Sequence, residues 1–171
     1  MSIDLTKGFD RVPHGLLLKK MIDDGFSDFV VAFMHDYLHS RSFRIRCKHS
    51  YSSYGVVPGG VPQGSSIGPL VFGYFVSDLT DDSDCSNLMV KYADDIFLIC
   101  NIFGHQQQQS SPMCDIYNKV IVWDNRNGMS VNKRKCNQMF FCSRTADFSA
   151  CALSEIPLVN EMRILGVLFD T

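Results

Sequence analysis

The apolar and polar positions change period several times along the chain. From His14 to Asp24, Leu17 and Met21 share one face with Leu18 and Ile22 beside them, and Gly25 follows as a left-handed stop, which predicts a short helix. Ser27 then stands as the N-cap of a second helix reaching about His39, in which Phe29, Phe33 and Tyr37 recur at steps of four. Phe43, Ile45 and Cys47 alternate with Arg44, Arg46 and Lys48, a period of two that predicts a strand with one apolar and one cationic side. Residues 55–64 hold too many glycines and prolines for a regular element, and the apolar run Ile67 to Leu79 that follows predicts a buried helix. Leu88 to Tyr92 and Ile96 to Cys100 flank Ala93-Asp94-Asp95 as the arms of a β-hairpin. Ile116, Val120 and Trp123 mark a helix from Cys114 to Asn127 that Gly128 ends, and Met129 to Val131 and Met139 to Cys142 read as further strands. Met1 to Leu5 reads as a strand already under way and Ile164 to Thr171 as a strand cut off, so the chain is expected to be a segment of a longer protein.

With 171 residues, 46% of them apolar, the chain can bury a core as one domain or a part of one, and no linker is expected to separate two cores. Sixteen basic and eighteen acidic residues leave a net charge of -2, so a nucleic acid must be held by local patches rather than by a global field. The seven cysteines form no C-x-x-C pair, which removes a zinc knuckle and an obvious disulfide framework and suggests an intracellular protein with reduced thiols. No run approaches the ~18 uncharged residues of a membrane span, so no membrane partner is expected. Asp78 to Asp84 reads as a solvated acidic turn and His105 to Pro112 as a polar connector.

The sharpest chemical feature is Asp94-Asp95 at the tip of an apolar hairpin, where the arms hold two carboxylates out on a rigid support. Alone, such a pair is ordinary turn chemistry. Asp4 changes the picture, because it lies at a strand end and a neighbouring strand can bring it beside the hairpin tip. Three converging carboxylates repel unless a divalent cation joins them, and an oxygen-only donor set selects Mg²⁺ or Mn²⁺.

Asp4-Leu-Thr-Lys-Gly-Phe-Asp-Arg-Val-Pro-His14, Gly60-Val-Pro-Gln-Gly-Ser-Ser-Ile-Gly-Pro-Leu70, Tyr92-Ala-Asp-Asp95, Gly128-Met-Ser-Val-Asn-Lys-Arg-Lys-Cys136 and Leu165-Gly-Val167 follow one another in the order of the sequence blocks of reverse transcriptases. Over essentially its whole length the chain resembles the palm region of a non-LTR (LINE-type) retrotransposon reverse transcriptase. The resemblance implies an α+β fold, a reverse-transcriptase palm with an antiparallel sheet backed by the Ile67 to Leu79 and Cys114 to Asn127 helices, with part of the fingers at about residues 14–58 and no thumb. It implies RNA-directed DNA synthesis on an RNA template from a DNA primer and dNTPs, with two Mg²⁺ (or Mn²⁺) ions held by Asp4, Asp94, Asp95 and the Leu5 carbonyl. By the same resemblance Phe9 matches the aromatic gate against a ribose 2′-hydroxyl, with a core Phe as the alternative. Gln63 and Gly64 match the loop against template base and incoming nucleotide, with a plain turn into a helix as the alternative; Tyr92 fits beneath the primer end or in the hairpin core; and Lys135 stands where a lysine protonates the leaving pyrophosphate, or is a surface cation after a turn. Arg41, Arg44, Arg46 and Lys48 either grip template phosphates or form the wet face of an exposed strand.

Gly8 stands where the family commonly has alanine, and the segments that hold triphosphate and duplex in the family, the rest of the fingers and the thumb, are missing from the chain. Processive synthesis by the chain alone is therefore not expected, and work in cytoplasm or nucleus is what the resemblance suggests. Two rival readings remain: a catalytically inert retroelement remnant with residual RNA binding, and a serine hydrolase built on Gly64-Ser-Ser-Ile-Gly68 with Ser66, Asp94 or Asp95, and His105. Gly59 to Ser65 mimics a P-loop, but Ser65 replaces its lysine, and His35 with His39 reads as a pair of helix-surface histidines.

Overall fold

The computed structural model describes residues 1–80, 87–101, 112–141 and 152–170. These form two compact units, Met1–Thr6 with Leu79–Thr171, and Lys7–Asp78. The sequence pattern contains no linker because the second unit is an insertion within the first, and both boundaries are ordinary chain.

In the first unit, β1 (Ser2–Asp4), β6 (Asn87–Tyr92) and β7 (Asp95–Cys100) form an antiparallel sheet in the order β1-β7-β6. The hairpin expected around Ala93 is β6–β7, and the register pairs Ile3 with Ile96 and Asp4 with Asp95 on its outer side. One face is apolar: Ile3, Leu5, Ile96 and Leu98 are buried, and α5 (Pro112–Asn127) packs on β7. That helix buries Met113, Ile116, Tyr117, Val120 and Trp123, a stripe at helical spacing, and Gly128 ends it in the left-handed region at φ 65°.

Beyond Gly128 the two expected strands are reduced to isolated bridges. Val131 pairs with Leu5, Asn137 with Ser2, and Gln138 with Leu158, while Lys133–Lys135 form a turn between the first two bridges. The Gln138 side chain is tied to the segment that its backbone pairs with: its amide donates to the Leu153 and Ile156 carbonyls and accepts from the Leu153 N–H. The segment Ile164 to Thr171 is not one strand. β8 (Glu161–Ile164) and β9 (Val167–Asp170) form a hairpin turned by Leu165 and Gly166, both at positive φ (47° and 88°), and a leucine there conceals the turn from composition rules. Cys85, His105, Cys142, Cys151 and the acidic residues 81–84 lie outside the described residues. The described cysteines Cys47, Cys100, Cys114 and Cys136 are free thiols, and among the described residues no helix is long and apolar enough to cross a membrane.

The second unit opens with α1 (Gly8–Arg11), a turn too short for periodicity to show. It continues with α2 (His14–Asp23) and α3 (Asp28–Leu38), joined through Gly25 at φ 78° as expected. The aromatic stripe of α3 faces outward: Phe29 is 82% exposed and Phe33 54%, and Met34 and Leu38 fill the core instead. The alternating Arg segment is split into β2 (Ser42–Phe43) with β5 (Gly55–Val56) and β3 (Arg46–Cys47) with β4 (Ser50–Tyr51). α4 (Gly68–Phe75) starts with Pro69 in its first turn and is shorter than the apolar run, because Ser77 ties its N–H and its hydroxyl back to the Tyr74 carbonyl. Phe72 and Phe75 are fully buried, and Lys20 anchors the helix end through the Phe75 carbonyl at 2.9 Å and Asp78 at 2.7 Å.

Gly60 sits where this unit is tightest. Its N–H donates to the Val12 carbonyl, the next N–H donates to the Phe9 carbonyl, and a Cβ at Gly60 would stand 2.6 Å from the Asp10 carbonyl group at φ 85°. Gly64 has a similar φ of 79° but open space around it. Gly64→Ala is therefore expected to cost about 1–2 kcal/mol from backbone conformation alone, and Gly60→Ala at least ~1 kcal/mol more, since the backbone itself must shift. Urea midpoints of the two variants measure the difference; equal costs would show that the approach to Asp10 is not limiting.

Candidate active site

Side chains alternate across a strand, so burying Ile3 and Ile96 on one face turns Asp4 and Asp95 to the other. Asp95 pairs with Asp4 on one side and Tyr92 on the other, and Ala93-Asp94 forms the two-residue turn between the arms, with Ala93 forced to φ 53°. Directly paired residues bring their Cβ atoms within about 4.5–5.5 Å, so two carboxylates stand side by side with a third next to them in the chain. Desolvation pushes the Asp95 carboxyl above its ordinary value, and the charges of Asp94 and then Asp4 add to the shift. Among the described residues Lys135 answers them: its Nζ lies 3.9 Å from Asp4 Oδ2, on a side chain that is two-thirds exposed and so screened.

The backbone under Asp4 is held from the far side. Its carbonyl accepts from the Asn132 N–H at 2.8 Å, the Thr6 N–H donates to the Ser130 carbonyl at 2.7 Å, and its own N–H donates to Cys136 Sγ at 3.4 Å. Those two backbone bonds bracket Leu5 opposite Val131, and a residue in that position directs its carbonyl to the other flank, here the side of β7 and the hairpin turn. Asp124, buried on α5, accepts from the Val131 N–H and so ties the helix to this edge. Cys136 is fully buried, its thiol donates to the Asn132 carbonyl, and burial pushes its pKa up. No periodicity pointed to Cys136, Asn132 or Asp124; their roles arise from a three-dimensional turn.

The remaining candidates lie in the second unit. Phe9 is half-buried and stacks on Phe72 at 4.3 Å, a contact that serves a core residue and a fixed aromatic face equally. Gln63 is exposed and its Nε2 donates to Asp10 Oδ1 at 2.8 Å. Arg41 lies over Tyr37, and Arg44, Arg46 and Lys48 are exposed. Ser66 follows turns rather than a strand, so the nucleophile elbow of a hydrolase is not formed there. His35 and His39 stack on each other at 3.9 Å, with His39 Nδ1 against the His35 carbonyl.

Among the described residues no three acidic, His or Cys side chains converge closely enough to cage a metal ion. The donors at the hairpin tip are nonetheless all hard oxygens with excess negative charge, which suits an ion such as Mg²⁺ that binds through one or two carboxylates and keeps water or phosphate for the rest. The raised Asp95 sets the sign of a pH effect. The folded state takes up this proton before the unfolded state does, so the penalty on the ionised form, from desolvation first and then from Asp94 and Asp4, is present at neutral pH and relieved as pH falls through the raised value toward 3.8. Asp95→Asn is expected to raise the melting temperature at neutral pH, with the gain shrinking on acidification through that window. Melting curves across pH measure it, and a gain that persists below the window would refute the electrostatic cause.

Residues 1–169 match the family model described as reverse transcriptase (RNA-dependent DNA polymerase). The chain is 29% identical to a probable RNA-directed DNA polymerase from transposon BS of Drosophila melanogaster, over 98% of this chain and 18% of that protein. It is 28% identical to its counterpart from transposon X-element of the same species, over 99% of this chain and 19% of that protein. It is 25% identical to an RNA-directed DNA polymerase from mobile element jockey of Drosophila funebris, over 98% of this chain and 19% of that protein. The chain thus spans about a fifth of the length of these relatives, and with the matched family and the ordered sequence blocks it belongs to the reverse transcriptases of non-LTR retrotransposons.

Proposed function

We propose that this chain carries the nucleotidyl-transfer centre of an RNA-directed DNA polymerase. The observation that carries the reading is the strand pairing of Asp4 with Asp95, with Asp94 in the adjoining turn, at the exposed hairpin end of a sheet and on the face opposite the buried Ile3, Ile96 and Leu98. The family works with divalent metal ions. Asp4, Asp94, Asp95 and the Leu5 carbonyl would hold two Mg²⁺ or Mn²⁺ ions, which when bound supply an activated primer 3′-hydroxyl and charge neutralisation at the triphosphate.

The chain's own groups do the rest. Lys135, beside Asp4 and solvent-exposed, is read as the group that gives a proton to departing pyrophosphate. Tyr92, opposite Asp95 and 63% exposed, offers a flat surface for the primer end. Phe9, fixed by its stack on Phe72, is read as the gate against a 2′-hydroxyl, and Gln63 and Gly64 as the loop beside template base and nucleotide. The sheet-bearing unit is read as palm, and residues 14–58 as part of the fingers. RNA template, DNA primer and dNTP are the substrates of this reading, and the longer parent supplies the segments that hold duplex and triphosphate.

Primer extension on an RNA template with Mg²⁺ or Mn²⁺ tests it. In a full-length parent protein, Asp94→Asn is expected to lower extension ~10²-fold or more, since a metal site is worth several kcal/mol of charge stabilisation. The 171-residue chain alone is expected to add few or no nucleotides. Extension that survives Asp94→Asn would overturn the assignment.

A further inference from the structure

The ribbon formed by β2–β5 and β3–β4 presents two tyrosines and two arginines on one solvent-exposed face, which phosphate contacts alone do not require. Arg46 and Tyr51 are strand partners, so their side chains leave the ribbon together. The Arg44 guanidinium lies 4.0 Å from the Tyr51 ring centre and 5.3 Å from that of Tyr54, and the Arg46 guanidinium lies 5.9 Å from Tyr51. Tyr51 is 51% exposed and Tyr54 68%, so the planar groups order one another without being covered.

The charge around this face is one-sided. Residues 37–77 contain Arg41, Arg44, Arg46 and Lys48 and no Asp or Glu, in a chain with net charge -2. Among the described residues none of these four cations pairs with a carboxylate. A polyanion with flat apolar faces fits both halves of the patch: its phosphates meet the cations and its bases stack on tyrosine and guanidinium planes. Bases inside a duplex are already stacked and offer no such faces, so the ligand is single-stranded.

We infer that the Arg44, Arg46, Tyr51 and Tyr54 face is a stacking platform for an unpaired stretch of RNA. The choice of RNA over DNA rests on the polymerase reading above; the stacking chemistry does not. The platform works without metal or nucleotide, so its failure and that of the polymerase centre are read in different assays.

Fluorescence anisotropy with a labelled, unstructured RNA of about twelve nucleotides, and with a blunt RNA duplex of the same length, tests the platform on the whole chain without divalent ions. Tyr51→Ser with Tyr54→Ser is expected to weaken single-strand binding ~10-fold or more while leaving duplex binding within about twofold. Tyr51→Phe with Tyr54→Phe, which keeps the ring faces, is expected to bind like the parent sequence. Arg46→Gln is expected to flatten the slope of log affinity against log salt by about 0.7. Circular dichroism should be unchanged in all three variants. Single-strand binding that survives loss of both rings, an equal loss on duplex, or displacement of the RNA by polyglutamate as readily as by unlabelled RNA would overturn the platform.

Discussion

The antiparallel register of β1 against β7 is the constraint on which the site depends. It sets Ile3 against Ile96 in the core and, one residue further, Asp4 against Asp95 at the surface. A buried aliphatic side chain contributes about 1.5–3 kcal/mol, and the paired face holds Ile3, Leu5, Ile96 and Leu98. Two like charges about 4 Å apart repel by about 1 kcal/mol in bulk water and about 4 kcal/mol near a protein surface, still less than the four side chains together contribute. Packing therefore prevails, and the sheet keeps a like-charge pair in contact that the carboxylates alone would avoid. Slipping the register by one residue would relieve the repulsion only by turning the isoleucines to water.

Much of this was legible because the core elements repeat simple periods. Leu17 with Met21, Gly25 and the Ile116-Val120-Trp123 spacing locate α2 and α5 closely, and the apolar runs around Ala93 locate the β6–β7 hairpin. The family itself was legible from the order of the sequence blocks, which no single pattern carries. Elements without a period were missed. The Leu165-Gly166 turn puts a leucine at its first position, α1 is one turn long, and the strands expected near Met129 and Met139 gave way to isolated bridges and a turn at Lys133–Lys135.

The candidate site was legible in its acids and not in its supports. Asp4, Asp94 and Asp95 are polar residues in apolar surroundings, a contrast any pattern reading detects. Cys136 accepts the Asp4 N–H on its sulfur, Asn132 donates its main-chain N–H to the Asp4 carbonyl, and the buried Asp124 carboxylate holds Val131 opposite Leu5; none of these residues stands out in sequence. The α3 stripe marked the helix correctly but not its inner side: regular spacing of Phe29, Phe33 and Tyr37 reports a shared face, and only tertiary packing decides whether that face is inside.

The insertion of Lys7–Asp78 between β1 and its partners has a consequence for how the protein is made. Asp95 follows Asp4 by 91 positions, so a ribosome adding about 5–20 residues per second leaves β1 without β7 for roughly 5–20 seconds. The inserted unit is synthesised whole before β7 and can condense during that interval, whereas Ile3 and Leu5 must wait as an unpaired apolar edge. Closing so long a loop is slow, and it places assembly of the carboxylate pair late in folding. Nascent chains therefore pass through a stage in which the inserted unit can be native while the acids are still apart, and a chaperone that shields the first six residues would protect the step on which the site is built.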